Sequence, residues 1–411
     1  MAMEEKEFQT YKKRAFEFIW EELDPIALEI EKTGHIPRKE LWPKFRDMGF
    51  LAMNVPKEYG GMGLSEVQYL EFEKEWAKVH GGIRILLHCV NTSADFLKFA
   101  RKEQQEKYWP KVARGEVAFA FALTEPNAGS GKDIKTIAQR DGENFRITGV
   151  KHLISNTDFC DLYNVVCKTS GGPDDPQYVF LIVDKESDGF IIKAMERCMG
   201  CTGSYHERVI FDNCLVPKEN VIGEEVKGLE YALSELNTSR VRISSNALGV
   251  MERCLDLSIE YAKKRVTFGK PIAQRQIVQD YLSETAMAIY ALQGMINDTA
   301  RKIDKGENTT LEANLCKLFA TEGARRATDN AMLIFGGIGY TAEYPIQRLY
   351  RDVRLNWLEE ATPSIPMITA ARALVEGRRT YRAFHEERVE TSFEKTLKNL
   401  SPDLASRLRA L

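Results

Sequence analysis

Two neighbouring carboxylates, Glu359 and Glu360, stand in the stretch Leu358-Glu-Glu-Ala-Thr-Pro-Ser-Ile365, where an acid could take a proton from a ligand or return one. Read alone, the pair equally describes solvated acids at a helix start, where carboxylates suit the dipole. Two turns of small residues could admit a ligand close to the backbone. Thr124-Glu-Pro-Asn-Ala-Gly-Ser-Gly131 follows an apolar run and carries hydroxyls at Thr124 and Ser130, although an ordinary loop has the same composition. Phe335-Gly-Gly-Ile-Gly-Tyr340 lies between two helical patterns, where glycines let the backbone pack on a nucleotide or on another helix. Cys198-Met-Gly-Cys201, His206 and Cys214 could supply four zinc ligands. A lone C-x-x-C without a second pair is a weak metal signal, so a turn between two strands is the plainer reading and no metal is expected.

These residues need elements to hold them, and the chain changes texture twice. Up to about Gly115 the apolar positions follow helical spacing, as in Phe16, Ile19, Trp20 and Leu23, with a loop at 56–64. From Val117 to about Gly223 short apolar runs such as 118–123 and 178–183 alternate with turn signals at 141–144 and 170–175, the pattern of a small β-domain. After Gly228 the helical period returns, with Ala247, Met251, Cys254, Leu255, Ser258, Ile259 and Ala262 on one face. The expected organisation is an α+β multidomain chain: an N-terminal α-helical domain (1–117), a middle β-domain (118–225), a C-terminal helical bundle (226–378) and a helical tail (379–411). In the tail, Phe393, Leu397, Leu400, Leu404, Leu408 and Leu411 recur at near-heptad spacing broken by Pro402.

At 411 residues the chain exceeds what one hydrophobic core supports. Its 57 basic and 60 acidic residues leave a formal charge of -3, which gives no bulk reason to bind nucleic acid or an anionic membrane. The opening residues lack the basic-then-apolar order of a secretory signal, no apolar run is long enough to span a bilayer, and the eight cysteines are scattered. A cytoplasmic protein without membrane insertion is expected.

Seven pieces, in order along the chain, resemble the acyl-CoA dehydrogenase family: PKEYGGMG (56–63), FALTEPNAGS (121–130), GVKHLISN (149–156), FDNCLVPKENVIG (211–223), RVTFGKPIAQRQ (265–276), FGGIGYTAEYPIQRLYRD (335–352) and LEEATPSI (358–365). The resemblance implies a helical domain, a β-domain of barrel or sandwich type and a C-terminal four-helix bundle. It also implies FAD, an acyl-CoA substrate, electron transfer flavoprotein as acceptor and a homotetramer. Glu360 matches the family base, which removes the α-proton of the thioester while hydride leaves Cβ for flavin N5. Matched in the same way, Phe121, Leu123, Thr124, Ser130, Leu153, Ser155, Thr362 and Ser364 would touch FAD. Arg265, Thr267 and Gln276 would reach it across a subunit boundary, and Gly336 and Gly337 match the loop at its adenosine end. Ser130, Asn237, Arg240, Ala361 and Arg372 match substrate-side positions.

Several positions depart from the pattern. Glu359 stands for the tyrosine before the base, Ala361 for the glycine after it, Leu153 for a tryptophan beside the flavin, Leu333 for a glutamine and Asn237 for an aspartate. Arg84 falls where glutaryl-CoA dehydrogenases hold a distal carboxylate, which points to a dicarboxylic acyl-CoA of glutaryl or benzylsuccinyl type. The alternative is an Arg84 paired with an acid of the protein itself, since a buried guanidinium needs a partner. Rival outcomes on the same fold are an acyl-CoA oxidase and a non-catalytic member that binds CoA esters or flavin.

Overall fold

The computed structural model describes residues 3–129, 133–169, 177–376 and 402. Six helices lead: α1 (Glu5–Phe18), α2 (Ala27–Thr33), α3 (Arg38–Asp47), α4 (Glu66–Val79), α5 (Gly81–Asp95) and α6 (Lys102–Ala113). A five-residue π-helical segment, Ile19–Leu23, follows α1 directly. Helix α4 starts at a capping box, in which Ser65 Oγ accepts from Gln68 N and the Gln68 side chain accepts from Ser65 N. Only His80 separates the end of α4 from α5; its ring caps α5, which is buried along nearly its whole length. That depth fits its apolar content, and it makes Arg84 and His88 exceptions requiring partners.

The middle region holds β1 (Phe119–Ala122), β2 (Ile137–Asp141), β3 (Asn144–Ser155), β4 (Leu162–Lys168), β5 (Tyr178–Asp184), β6 (Phe190–Lys193) and β7 (His206–Pro217). They form one curled sheet in the order β1-β4-β2-β3-β7-β6, with β5 added on β4. The 141–144 turn closes the β2–β3 hairpin, with Asp141 opposite Asn144. The two-sided burial of β4 and β5 follows from their apolar runs, broken in β4 only by Asn164, whose amide donates to the Ser93 carbonyl. Strand β3 slips register against β7 between Lys151 and Ile154, and this bulge puts Leu153 at φ 57.

The last region is helical: α7 (Gly228–Lys264), the short hairpin β8 (Val266–Thr267) and β9 (Lys270–Pro271), α8 (Gln276–Asp304), α9 (Thr310–Phe335), α10 (Ile346–Val353) and α11 (Ser364–Val375). Helices α7, α8 and α9 pack on one another, α4 lies against α7 and α8, and α11 lies on α9. The face anticipated on α7 is the buried one at Ala247, Met251, Cys254, Ser258 and Ala262. No helix among the described residues is long and apolar enough to cross a membrane. Residues 170–175, Ser130 and, apart from Pro402, the tail from 379 lie outside the described residues.

Candidate functional site

The chain enters the acidic stretch from α10 through a single 3-10 turn, Arg354–Trp357. The Leu355 carbonyl accepts the amides of Leu358 (2.7 Å) and Glu359 (3.0 Å). Glu360 and Ala361 then both turn left-handed, at φ 56 and 81. For residues with a Cβ this costs about 1–2 kcal/mol each, so something must hold the turn. Lys317, fully buried on α9, does so by donating to the carbonyls of Glu359 and Ala361, and Arg240 Nε adds a bond to the Glu360 carbonyl at 3.3 Å. Burial pulls the Lys317 ammonium down to about 8, against the opposing pull of Glu360 and Glu359. Lys317→Met is expected to cost about 1–3 kcal/mol by leaving two carbonyls without a donor, and to lower kcat more than it raises KM. Thermal unfolding and steady-state kinetics measure both effects.

The two neighbouring acids sit in opposite environments. Burial raises the Glu360 carboxyl above the usual range, only partly offset by a hydrogen bond from Ser239 Oγ to Oε1 (2.8 Å) and by the charges of Arg240, His88 and Lys317. Burial also acts on Glu359, but Arg84 outweighs it and holds that carboxyl below the usual range. Two adjacent acids are thus pulled apart: Glu360 holds its proton more readily than an ordinary carboxyl, and Glu359 less readily.

Arg84 meets Glu359 in a two-pronged pair, Nη1 to Oε2 and Nη2 to Oε1 at 3.0 Å each, and Nη2 also donates to Asn356 Oδ1 at 3.1 Å. Of the two readings open for Arg84, the structure has the internal one: the acid facing the guanidinium belongs to the protein. The residue that replaces the family tyrosine is therefore the partner of the arginine at the glutaryl position. Asn237 likewise serves an internal contact, its Oδ1 accepting from Arg240 Nη1 at 2.7 Å. Ala361 lies in the turn itself, while Arg372 is exposed toward the end of α11.

The strand residues expected around FAD come to the same neighbourhood. Ser155, last on β3 and opposite His206 on β7, hydrogen-bonds the thiol of Cys89 on α5. Burial foremost, and then the charge of Glu359, push that thiol up to about 12. Leu153 leaves the bulge 47% exposed, an apolar side chain turned out of the sheet next to Ser155, which is a fit for a planar ring system. The Phe121 ring lies tilted against Phe96 at 4.6 Å between centroids, and the Thr124 carbonyl accepts from His152 N. The Leu123 side chain is in the core and its carbonyl accepts from Lys151 Nζ, so any contact with a ligand would fall to its backbone N–H. Thr362 and Ser364 are exposed at the start of α11 with hydroxyls 3.1 Å apart.

The remaining expected FAD contacts are not brought to this place. Arg265 follows the last residue of α7, roughly 37 Å along the helix from Arg240 at 1.5 Å per residue. Thr267 there accepts from Arg275, Gln276 opens α8, and Gly336 and Gly337 sit beyond α9, next to a stack of Tyr261 on Phe335 (4.2 Å). A side chain added at either glycine would meet open space, and Phe268 (95% exposed) and Tyr340 (83% exposed) leave apolar surface uncovered at this end.

Cys198 Sγ lies 3.8 Å from His206 Nδ1, whereas Cys201 turns inward to donate its amide to Asp352 Oδ1 at 2.6 Å and Cys214 faces the core. Residues 198–201 belong to the connection between β6 and β7, and no group of three or more candidate metal ligands exists among the described residues. The sequence reading did not single out Lys317, His88, Glu73 or Ser239. The one available signal was a lysine inside the apolar run Leu315-Cys-Lys-Leu-Phe319.

Comparison with known proteins agrees with this geometry. Models of the acyl-CoA dehydrogenase N-terminal, middle and C-terminal domains match residues 5–116, 120–214 and 226–375. Acryloyl-CoA reductase (NADH) from Anaerotignum propionicum is 34% identical over 90% of this chain and 95% of its own length. A caffeyl-CoA reductase–Etf complex subunit from Acetobacterium woodii is 32% identical over 89% of this chain and 97% of its own. The solved butyryl-CoA dehydrogenase of Megasphaera elsdenii superposes with a TM-score of 0.86 at 30% identity, covering 91% and 99% of the two chains. This chain belongs to the acyl-CoA dehydrogenase family, FAD-dependent oxidoreductases that act on the CH–CH bond of acyl-CoA thioesters.

Proposed function

We propose that Glu360 exchanges the α-proton of an acyl-CoA thioester in an α,β-dehydrogenation. The observation that carries this reading is the partly buried Glu360 carboxyl, raised in pKa, set in a held left-handed turn beside Ser239 and Arg240. A base of this kind serves in both directions, accepting the proton in oxidation and returning it in reduction of the enoyl ester. The reductase names among the relatives support counting the second direction as well as the first. The Glu360 N–H is one donor for the thioester oxygen as negative charge develops there. FAD, when bound, supplies the acceptor of the hydride from Cβ. Leu153, Ser155, Thr362 and Ser364 would hold it within one subunit.

Arg265, Thr267, Gln276, Gly336 and Gly337, together at the far end of α7 and α9, would serve the flavin of another copy. The exposed Phe268 and Tyr340 beside them favour an assembly such as the homotetramer. Electron transfer flavoprotein is the electron partner this reading favours, in keeping with the Etf complex to which one relative belongs.

For the acyl group, the Arg84–Glu359 pair favours a chain without a distal charge, because a dicarboxylic ester would have to displace Glu359 from a two-pronged contact. The test is bleaching of the visible flavin spectrum by butyryl-, glutaryl- and benzylsuccinyl-CoA under anaerobic conditions. Butyryl-CoA is expected to bleach it fastest. Glu359→Gln, which leaves Arg84 without its anion, should raise the glutaryl-to-butyryl ratio of kcat/KM by about tenfold. Faster bleaching of the parent enzyme by the two diacid esters would instead support the substrate first suggested by Arg84. Loss of all bleaching with every ester would defeat the enzymatic reading, and reoxidation by oxygen alone would identify an oxidase.

A further inference from the structure

The Glu360 carboxyl is one end of a hydrogen-bonded chain that starts two helices away. On α4, Glu73 accepts from Tyr69 Oη at 2.6 Å and lies 2.8 Å from His88 Nδ1, while its other oxygen accepts from Asn246 Nδ2 of α7 at 2.8 Å. On α5, His88 Nε2 is 3.3 Å from Ser239 Oγ of α7, and that hydroxyl donates to Glu360 Oε1 at 2.8 Å. Tyr69, Glu73, His88, Ser239 and Asn246 are all at most 3% exposed, so bulk water does not complete or replace these bonds.

The serine has one proton to give, and the state of the imidazole decides where it goes. A neutral His88 that donates from Nδ1 to Glu73 presents a lone pair at Nε2, which competes for the Ser239 proton. An imidazolium donates from both nitrogens, so Ser239 accepts from Nε2 and its own proton turns to Glu360. We propose that His88, anchored by Glu73, is a positioning residue for the base: as an imidazolium it directs the Ser239 hydroxyl onto Glu360 and stands behind it as a fixed positive charge.

The surrounding charges agree. Burial pulls His88 down, but the charge and hydrogen bond of Glu73 outweigh it and raise the imidazole above its ordinary value, with Glu359 helping and Arg84 on its own helix opposing. The Glu73 carboxyl is held low, since His88, Tyr69 and Arg84 together outweigh its burial. From the other sides, Arg240 on α7 and Lys317 on α9 face Glu360, and Cys89 on α5 is near both acids.

This inference rests on Glu360 as the proton-exchanging group, and the experiment separates the two. The acid limb of kcat/KM reports ionisation of Glu360 in the free enzyme. His88→Gln removes a positive charge and Ser239→Ala removes a donor to the carboxylate, and each change disfavours the ionised form. Both should therefore move that limb to higher pH by about one unit, with kcat falling more than KM changes. Independently of activity, ring-labelled histidine NMR of the FAD-loaded enzyme should show one imidazole, absent from His88→Gln, that titrates above the ordinary histidine value and is lowered in Glu73→Gln. An unmoved acid limb in either folded variant, or a His88 ring that titrates at or below the ordinary histidine value, overturns the proposal. Should His88→Gln fail to fold, Ser239→Ala alone decides. A Glu360→Gln enzyme that keeps its activity would instead remove the underlying assignment of the base.

Discussion

Glu360→Gln is expected to lower kcat by about 10³–10⁴-fold while the enzyme keeps its yellow flavin and its affinity for acyl-CoA. The amide is nearly isosteric with the acid, its oxygen can still accept from Ser239, and the backbone turn held by Lys317 is unaltered. What disappears is the one group of the turn able to change charge. Glu359 cannot take over from the next position, because Arg84 keeps it ionised and tied on both oxygens. In the parent enzyme the same environment sets the pH response. Burial raises the Glu360 carboxyl, so the rate of oxidation should climb with pH through a midpoint above the ordinary carboxylate range, and the reverse reduction should decline through it. Anaerobic stopped-flow measurement against pH, following flavin bleaching by acyl-CoA and the return of colour when reduced enzyme meets enoyl-CoA, reads both. Activity within tenfold of the parent in the glutamine variant would show that another group moves the proton.

The largest loss of stability should come from Arg242→Met. Arg242 is 2% exposed, and its Nε and Nη2 each reach a Glu66 oxygen at 2.8 Å. Nη1 lies 2.8 Å from Asp95 and 3.8 Å from Glu235, and the guanidinium sits 4.6 Å over the ring of Tyr69. One cation thus ties α4, α5 and α7 through three acids, with Lys98 as the remaining counter-charge on Glu235. Removing one member of a buried charged group leaves the others uncompensated, at a cost of about 3–5 kcal/mol. The sign of the pH effect follows. Asp95 is already raised to about 6, foremost by burial and also by Glu235, although Arg242 pulls it down. Without the guanidinium it should rise further. A carboxyl raised on folding contributes stability that is complete below its unfolded pKa and is lost as pH climbs through the folded one. The deficit of Arg242→Met should therefore be smaller at pH 5 than at pH 8 in thermal unfolding at saturating FAD, whereas an equal deficit at both would mean that the acids find other partners. Because α5 carries Arg84 and His88, and α7 carries Ser239 and Arg240, this variant should also disturb the setting of Glu360.

Much of this protein can be read along the chain, because local information is enough for it. The passage from helical to strand texture near Val117 and back near Gly228 follows from side-chain period, and the helices and strands fall where the period changes. The hairpin at 141–144 follows from its turn residues, and Glu360 from the motif around it. The bulge at Leu153 is different, because it depends on register against β7, a strand more than fifty residues later. What surrounds Glu360 is more distant still: Arg84 and Glu359 are 275 positions apart, Ser239 and Glu360 are 121 apart, and Lys317 and Glu359 are 42 apart. A spacing rule cannot find such partners. The sequence by itself determined the three-part architecture and the family, and it singled out the carboxylate proposed to move a proton. Only the tertiary structure decided that Arg84 already has its anion, that the pKa values of adjacent acids are pushed in opposite directions, and that a buried imidazole stands behind Glu360, since each depends on which distant side chains share a low-dielectric space.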